Sequence, residues 1–228
     1  MDMYYMTSHL GLIIVPIILV ILAQFLVTSN YKKYAKIRNN RNMTGYEVAR
    51  RILDSNGLQN VEVVQGQGQL SDHFDPTQNV IRLSPDVYGQ PSISSLAIAA
   101  HEVGHAIQYA TKYPVIGFRN RVLPLAITAG NMAWIVIMIG LFTSGTSFLW
   151  FGIGLLLVIG VFQLVTLPLE FNASSRALNI LETGGYLDYD EIPKAKRVLS
   201  AAALTYVVAL ITTLAEVLRL ILIAQARD

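Results

Sequence analysis

The sequence predicts an integral membrane protein that is mainly α-helical, with four transmembrane helices and a small cytoplasmic α+β region. Hydrophobic residues make up 53% of its 228 residues and charged residues only 14%. A chain of this composition cannot cover its surface with polar groups, so much of that surface should contact lipid. Long apolar runs alternate with polar stretches, and one polar stretch contains the sequence His-Glu-Val-Gly-His at 101–105.

The charge and the cysteine content exclude several classes of protein. The net charge of +2 at pH 7 is too small to indicate nucleic-acid binding. The chain contains no cysteine, so disulfides and cysteine-ligated metals are excluded. Any metal must therefore be held by histidine, carboxylates and water.

The first apolar run, Leu10–Val27, is just long enough to span a bilayer. No basic segment precedes it and no small-residue cleavage site follows it, so we interpret it as an anchor rather than a signal peptide. Basic residues come directly after the run, and the positive-inside rule places them in the cytoplasm and the N-terminus outside. These residues are Lys32, Lys33, Lys36, Arg38 and Arg41.

Three more apolar runs complete the predicted topology. Val122–Phe142 and Phe148–Leu169 should form a hairpin whose turn, Thr143–Ser147, lies outside and whose ends are cytoplasmic. A polar segment from Glu170 to about Ala201 follows. The last run, Ala202–Ala224, then takes the C-terminus outside.

The cytoplasmic region carries the signals of a small α+β unit. Residues 44–47 read Thr-Gly-Tyr-Glu, a capping-box pattern that should open an amphipathic helix ending at Asn56-Gly57. Short strands are predicted at Val61–Val64 and Val80–Leu83. The second strand could bind an extended substrate by strand addition, or it could pair only within the protein.

The His-Glu-Val-Gly-His sequence is the strongest chemical signal in the chain. Ser92 or Ser94 can cap a helix that runs through the motif without a breaker. On that helix His101 and His105 lie one turn apart, so both imidazoles can bind a single Zn²⁺. Glu102 would lie beside the metal as a general base. The alternative is a chance occurrence of the motif on a surface helix.

A catalytic zinc site of this type needs a third protein ligand and an open position for water. Glu170 is the candidate, because it follows the hairpin on the side assigned to the two histidines. The alternative is an ordinary interfacial glutamate. Other acidic residues on this side fall in a Gly-containing loop region and are typical of solvated charge; they are Glu182, Asp188, Asp190 and Glu191.

Several strings of the sequence resemble the YugP-like neutral zinc metallopeptidases of bacterial membranes, and the likeness covers nearly the whole chain. Besides the motif they include Ser-Asp-His-Phe-Asp-Pro at 71–76, Arg-Leu-Ser-Pro-Asp-Val-Tyr at 82–88, Val-Thr-Leu-Pro-Leu-Glu-Phe at 165–171, Glu-Phe-Asn-Ala-Ser-Ser-Arg-Ala at 170–177 and Ala-Ala-Ala-Leu-Thr-Tyr at 201–206. The chain is also similar to the HtpX-type integral membrane proteases, whose third ligand belongs to a Glu-x-x-x-Asp helix.

The resemblance implies a zincin-like region with an HExxH helix of the gluzincin type, one catalytic zinc ion, and Glu170 as its third ligand. One position departs from the pattern. Ser174 stands where the aspartate is expected. A neutral hydroxyl would orient a ligating imidazole more weakly, unless another residue takes that role.

We therefore predict a membrane-embedded zinc endopeptidase that cleaves proteins or peptides at the cytoplasmic face of a bacterial inner membrane. Zinc held by His101, His105 and Glu170 would lower the pKa of its bound water. Glu102 would take that water's proton during attack on the peptide carbonyl and pass it to the leaving amine. Analogy with HtpX-type proteases suggests membrane-protein processing or quality control. The sequence leaves open a homo-oligomer or a regulatory membrane partner.

A second group that stabilises the oxyanion is usual in such sites, and three residues are candidates: His73, Arg176 and Tyr206. Two of these residues also have an interpretation without a catalytic role. His73 could be a polar loop histidine beside two aspartates, and Arg176 could be a positive-inside anchor at the interface.

Two other functional classes compete with the peptidase. A catalytically silent zinc-binding scaffold would have no use for a base, so the presence of Glu102 argues against it. A transporter or channel should carry charged or broken helices at mid-membrane, and only Glu216 and Arg219 come close. More often, however, such residues pair locally or snorkel near a helix end.

The predicted organisation has five parts. They are an N-terminal transmembrane anchor (1–30), a cytoplasmic metallopeptidase region with the HExxH helix (31–121), a transmembrane hairpin (122–169), a cytoplasmic segment with the third zinc ligand (170–201) and a C-terminal transmembrane helix (202–228).

Overall fold

A computed structural model describes residues 3–143 and 146–227, with side chains from residue 10 onward. This part of the chain is mostly helical and contains one small sheet. Its elements are α1 (Met3–Ala35), α2 (Gly45–Ser55), β1 (Glu62–Gln65), β2 (His73–Asp75), β3 (Val80–Leu83), α3 (Pro85–Gly89), α4 (Ile93–Ala110), α5 (Pro114–Phe142), α6 (Ser147–Thr183) and α7 (Ile192–Gln225).

The chain divides into two compact units. Unit 1 comprises the described residues of Met1–Gln24, Gly117–Pro168 and Leu204–Asp228. Unit 2 comprises Phe25–Ile116 and Leu169–Ala203, and it contains the sheet together with α2, α3 and α4. The five-part division drawn from the sequence stays a prediction.

Four helices are long and apolar enough to cross a membrane, as the sequence predicts. They are Leu10–Ala35 within α1, and α5, α6 and α7 in full. Two of them extend far beyond the apolar runs, because α6 continues to Thr183 and α7 begins at Ile192. Residues 172–182 contain neither glycine nor proline, so the helix persists after the apolar run ends. Two residues of the predicted hairpin turn, Ser144 and Gly145, lie outside the described residues.

Helix α2 begins and ends where its capping signals predict. The Thr44 hydroxyl accepts a hydrogen bond from the Glu47 amide at 3.2 Å, and the Glu47 carboxylate accepts one from the Thr44 amide at 2.8 Å. Gly57 follows the helix with a φ of +73°, which a residue with a side chain rarely adopts. The apolar face of α2 is fully buried and contacts α4, which anchors the motif helix in the core of unit 2.

The sheet has the order β1-β3-β2, with β1 parallel and β2 antiparallel to β3. The prediction of β3 is confirmed and that of β1 is shifted by one residue, whereas β2 and α3 were not predicted. Because β3 is the central strand, both of its edges are occupied. The prediction that a substrate could add to β3 as a strand is therefore wrong. The outer edges of this three-stranded sheet belong to β1 and β2.

The motif helix α4 starts at the predicted cap. The Ser92 hydroxyl accepts a hydrogen bond from the Ser95 amide at 3.1 Å, whereas the Ser94 hydroxyl donates to the Tyr31 carbonyl at 3.0 Å. Nearly every residue of α4 is buried or half-buried. The alternative of a chance motif on a surface helix is therefore wrong.

Glu191 corrects the expectation of solvated charge after the third span. Its side chain is only 1% exposed. Its carboxylate accepts hydrogen bonds from the backbone amides of Asn40 at 3.0 Å and Asp188 at 2.9 Å. Backbone amides can replace water around a buried carboxylate, and periodicity in the sequence does not reveal them. Glu191 thus joins the turn before α7 to the segment after α1.

Glu216 and Arg219 form a local ion pair within α7. The Arg219 Nε lies 2.8 Å from Glu216 Oε2, and an Arg219 terminal nitrogen lies 2.5 Å from Oε1. The structure therefore favours the interpretation of these two charged residues as a local pair over their interpretation as a polar site within the membrane. Glu216 and Arg219 were the main support for a transporter or channel, and their local pairing removes that support.

Helices α4 and α6 approach very closely at Gly104. A Cβ at this position would lie 2.9 Å from the carbonyl oxygen of Ala173 and 3.3 Å from its Cα. Both are backbone atoms, which cannot swing aside as a flexible side chain can. Only glycine therefore permits this approach.

We predict that Gly104→Ala destabilises the protein although alanine is the better helix former. Overpacking against the α6 backbone should cost about 1–3 kcal/mol of the free energy of unfolding. The measurement is equilibrium unfolding of the purified chain in detergent. Gly154→Ala is the matched control, because an added Cβ there meets nothing within 4 Å. The control should be neutral or gain up to about 1 kcal/mol from helix propensity. Equal stability of the two variants would contradict the close-approach argument.

Candidate metal centre

Three potential metal ligands converge from two helices of unit 2. His101 and His105 project from one face of α4, and Glu170 comes from α6. Glu170 Oε2 lies 3.4 Å from His101 Nε2 and 3.5 Å from His105 Nε2. The ligand atoms all lie within 4.8 Å of one another, and the imidazole rings are nearly perpendicular at 83°. The histidine spacing and the third ligand that the sequence predicts are thus brought together.

The donor set and its geometry fit a zinc ion. Ligand bonds of about 2.0–2.2 Å at tetrahedral angles would place neighbouring donor atoms roughly 3.4 Å apart. Glu170 is only 8% exposed, and its Oε2 is a buried atom without a hydrogen-bond partner in the described structure. A buried, unsatisfied carboxylate oxygen between two imidazoles is costly unless a cation neutralises it. This oxygen is the observation that best indicates a metal.

The second ring nitrogen of each histidine has its own partner. His101 Nδ1 lies 3.2 Å from the hydroxyl of Ser174, the residue that stands in place of the expected aspartate. His105 Nδ1 lies 3.0 Å from Oε1 of Gln108. Contacts of this kind orient metal-ligating imidazoles. The structure thus brings Ser174 to the position predicted for it.

Gln108 and Asn172 are parts of this site that sequence reasoning missed. The fully buried Gln108 donates through Nε2 to the Leu169 carbonyl at 2.8 Å and to Asn172 Oδ1 at 3.0 Å. Asn172 Oδ1 also accepts a hydrogen bond from Arg176 Nε at 2.7 Å. A signal existed in the spacing, because Gln108 lies one turn after His105 and so shares its helix face. Its polar partners, however, lie more than 60 residues away.

Glu102 is a buried carboxylate on the motif helix. It is close enough to Asp72 for the two charges to interact. Burial raises the pKa of Asp72, hydrogen bonds from the Ser84 amide and hydroxyl oppose this, and the charge of Glu102 raises it further. For His105, burial alone would lower the pKa, but the carboxylates of Glu170 and Glu102 outweigh burial and raise it.

The remaining predicted residues lie outside this cluster. His73 belongs to β2, is exposed, and its Nδ1 lies 2.7 Å from the Ser71 carbonyl oxygen. Tyr206 belongs to α7 in unit 1 and is 38% exposed. The group of potential metal ligands found in the described part of the chain contains neither residue. Their suggested roles stay predictions.

The comparisons with known proteins agree with this geometry. A family model described as "Putative neutral zinc metallopeptidase" matches residues 9–225. The chain belongs to this family. It is also 44% identical over 201 residues to the "Putative membrane protease YugP" of Bacillus subtilis (strain 168), which covers 88% of this chain and 89% of that protein. No solved structure matches the chain. The family resemblance identified from the sequence is confirmed, and membership implies a zinc site.

We predict that Glu170→Gln weakens zinc binding without unfolding the chain. The amide keeps the shape of the side chain but removes the anionic donor between the imidazoles. The zinc dissociation constant, measured by chelator competition, should rise by more than the roughly 10–100-fold that loss of an outer-shell partner costs. Glu182→Gln is the control, because Glu182 is exposed on the same helix. Unchanged zinc affinity in Glu170→Gln would remove Glu170 from the ligand set.

Proposed function

We propose that this chain is a zinc-dependent endopeptidase of the HExxH gluzincin type, acting on proteins or peptides at the cytoplasmic face of a bacterial inner membrane. The observation that carries the proposal is the convergence of His101, His105 and Glu170 around a buried, unsatisfied oxygen. Glu102 lies on the same helix, next to the first histidine. Membership in a zinc metallopeptidase family supports the same conclusion.

In the proposed hydrolysis, three residues bind the metal and Glu102 transfers the proton. When bound, one zinc ion supplies Lewis acidity, which activates water and polarises a substrate carbonyl. Glu102 is the general base: it takes a proton from the attacking water and returns it to the leaving amine. His101, His105 and Glu170 would hold the metal.

Two features support a substrate position along the outer edge of β2. Asp72, whose charge interacts with that of Glu102, directly precedes this strand. Strand β2 also packs on α4, where the Phe74 and Tyr109 rings contact each other edge-on at 5.6 Å. An extended peptide that pairs with this edge would run past the general base. This edge replaces β3 as the proposed docking strand.

Among the candidate oxyanion groups, Arg176 is engaged elsewhere. Its Nε donates to Asn172, and its guanidinium lies 6.0 Å from the centre of the Tyr113 ring. These contacts favour a structural role for it. His73 is exposed on β2, the proposed docking strand, so it is the better candidate for contact with a substrate carbonyl.

The membrane setting points to membrane proteins as substrates. Four candidate spans and the basic residues after the first apolar run support a cytoplasmic site with an external N-terminus. Processing or quality control of membrane proteins is the physiological role that we propose. A silent zinc-binding scaffold is the competing function, and it gives no reason for a buried Glu102 beside the ligands.

We expect Glu102→Gln to retain zinc and to lose cleavage of casein or peptides by about 10²–10⁴-fold, because the amide cannot accept the water's proton. Zinc content and cleavage rate should be measured on the same preparation. Chelator should abolish wild-type cleavage and added zinc should restore it, while Glu182→Gln should behave as wild type. Zinc in both proteins with cleavage by neither, over several substrates, would favour the scaffold.

The proposed orientation can be tested because the chain has no cysteine. Single cysteines are introduced at Gln59 in unit 2 and at Thr143 after α5, both of which are exposed. In intact cells a membrane-impermeant maleimide should label Thr143→Cys, and it should label Gln59→Cys only after the membrane is permeabilised. The reverse labelling pattern would place the metal centre outside the cytoplasm.

A further inference from the structure

We infer that the end of α1 and the start of α7 form a binding site for the headgroup of an anionic phospholipid. Three residues of unit 2 build this site: Lys33 and Tyr34 from α1, and Arg197 from α7. The lipid would supply the negative charge that the two basic residues lack. The inference goes beyond the proposed function and does not depend on cleavage activity.

Lys33 and Arg197 contact the same tyrosine from different helices. Lys33 Nζ lies 5.4 Å from the centre of the Tyr34 ring, and an Arg197 terminal nitrogen donates a hydrogen bond to the Tyr34 hydroxyl at 3.2 Å. Both contacts are favourable for a cation. Because both basic residues are exposed, Tyr34 brings two positive charges to one place on the surface of unit 2.

Tyr34 is a fixed part of this site. Its side chain is only 2% exposed and belongs to the hydrophobic core of unit 2. A ring in a close-packed core keeps one rotamer, so its contacts hold both cations in place before a ligand arrives. Such preorganisation reduces the entropy that is lost when a ligand binds.

The two cations have no carboxylate partner. Neither Lys33 nor Arg197 forms an ion pair within the described part of the chain. The neighbouring sequence offers none, because residues 28–46 and 192–215 contain neither aspartate nor glutamate. Two like charges at one tyrosine repel each other, so an anion between them would be stabilising.

Other basic residues of unit 2 do have acidic partners. Arg41 lies 3.0 Å from Asp188, and Lys194 lies 2.9 Å from Asp190. Both of these basic residues are farther along the chain from the apolar runs than Lys33 and Arg197 are. The unpaired cations are therefore the ones closer to the membrane.

The position of the two cations favours a lipid headgroup as the anion. Both helices continue without a break from the apolar run to the basic residue. At a rise of about 1.5 Å per residue, Lys33 lies about 9 Å beyond Val27, and Arg197 lies about 8 Å before Ala202. The polar layer of a bilayer extends about 5–8 Å beyond the hydrocarbon core, within reach of these long side chains.

The donors of both residues suit a phosphate group. Arg197 donates one hydrogen bond to Tyr34, and its other N–H groups can form charge-assisted hydrogen bonds with phosphate oxygens. Lys33 adds three donors on a flexible side chain. An acyl chain of the same lipid would contact the apolar parts of α1 and α7, which a free phosphate ion cannot do.

The test is whether an anionic lipid stabilises the purified full-length chain in a neutral detergent. Phosphatidylglycerol is added while the thermal unfolding midpoint is measured, because a ligand of the folded state raises that midpoint. Phosphatidylcholine and inorganic phosphate are added in parallel at the same concentration and ionic strength. Wild type should respond to phosphatidylglycerol alone. An equal response to phosphatidylcholine would refute the need for a net negative charge, and an equal response to phosphate would refute the lipid.

Two double variants separate a defined site from general electrostatic attraction. Lys33→Gln/Arg197→Gln should raise the apparent dissociation constant for phosphatidylglycerol about 30-fold, the effect of losing two basic residues beside an anionic surface. Lys36→Gln/Lys196→Gln is the matched control: it removes the same charge from exposed positions near the same two helix ends, away from the contacts with Tyr34. The control should weaken binding far less. Equal weakening in both variants would refute the site.

Tyr34→Phe tests the fixed position of Arg197. The variant removes the hydroxyl that accepts the Arg197 hydrogen bond and keeps the ring beneath Lys33. Affinity for phosphatidylglycerol should fall, but by less than in Lys33→Gln/Arg197→Gln, and an unchanged affinity would contradict the role of Tyr34. If a variant fails to fold, the comparison of lipids on wild type still decides the case. None of these measurements involves zinc or cleavage, so their failure is distinct from failure of the proposed peptidase.

Discussion

The backbone of Gly104 in α4 lies against the backbone of Ala173 in α6, at a distance that leaves no room for a Cβ on residue 104. The three potential ligands flank this contact on both helices: His101 and His105 precede and follow the glycine, and Glu170 lies one turn before the alanine. A side chain at residue 104 would separate the helices, and the carboxylate would no longer reach both imidazoles at 3.4 and 3.5 Å. The geometry of the candidate metal centre thus depends on the absence of a Cβ at residue 104.

The close approach buries charge, which is unfavourable for these side chains by themselves. Glu102 and Glu170 are both buried, and Glu170 Oε2 lacks a hydrogen-bond partner within the described structure. Desolvation of a buried carboxylate costs several kcal/mol, and a divalent cation offsets more of that cost than the two imidazoles do. Metal binding should therefore stabilise the folded state in addition to enabling chemistry. The burial that destabilises the metal-free site therefore also increases its affinity for a metal ion.

Features encoded locally could be predicted from the sequence, and those that arise from tertiary contacts could not. Caps such as Thr44 and Ser92 act within three residues, and the spacing of His101 and His105 is a property of one helix, so both were predicted. Glu170 required the topology of the hairpin as well. Strand β2 is short and polar and exists by pairing with β3, and Glu191 looks like solvent-exposed charge until backbone amides from elsewhere surround it.

The replacement of an aspartate by Ser174 changes how the site is held rather than whether it can form. A carboxylate at that position would fix the proton of His101 on Nδ1, whereas a hydroxyl accommodates either tautomer. Orientation from the scaffold instead reaches the other histidine, through the buried amide of Gln108. The two imidazoles are thus contacted from different helices, His101 by Ser174 of α6 and His105 by Gln108 of α4.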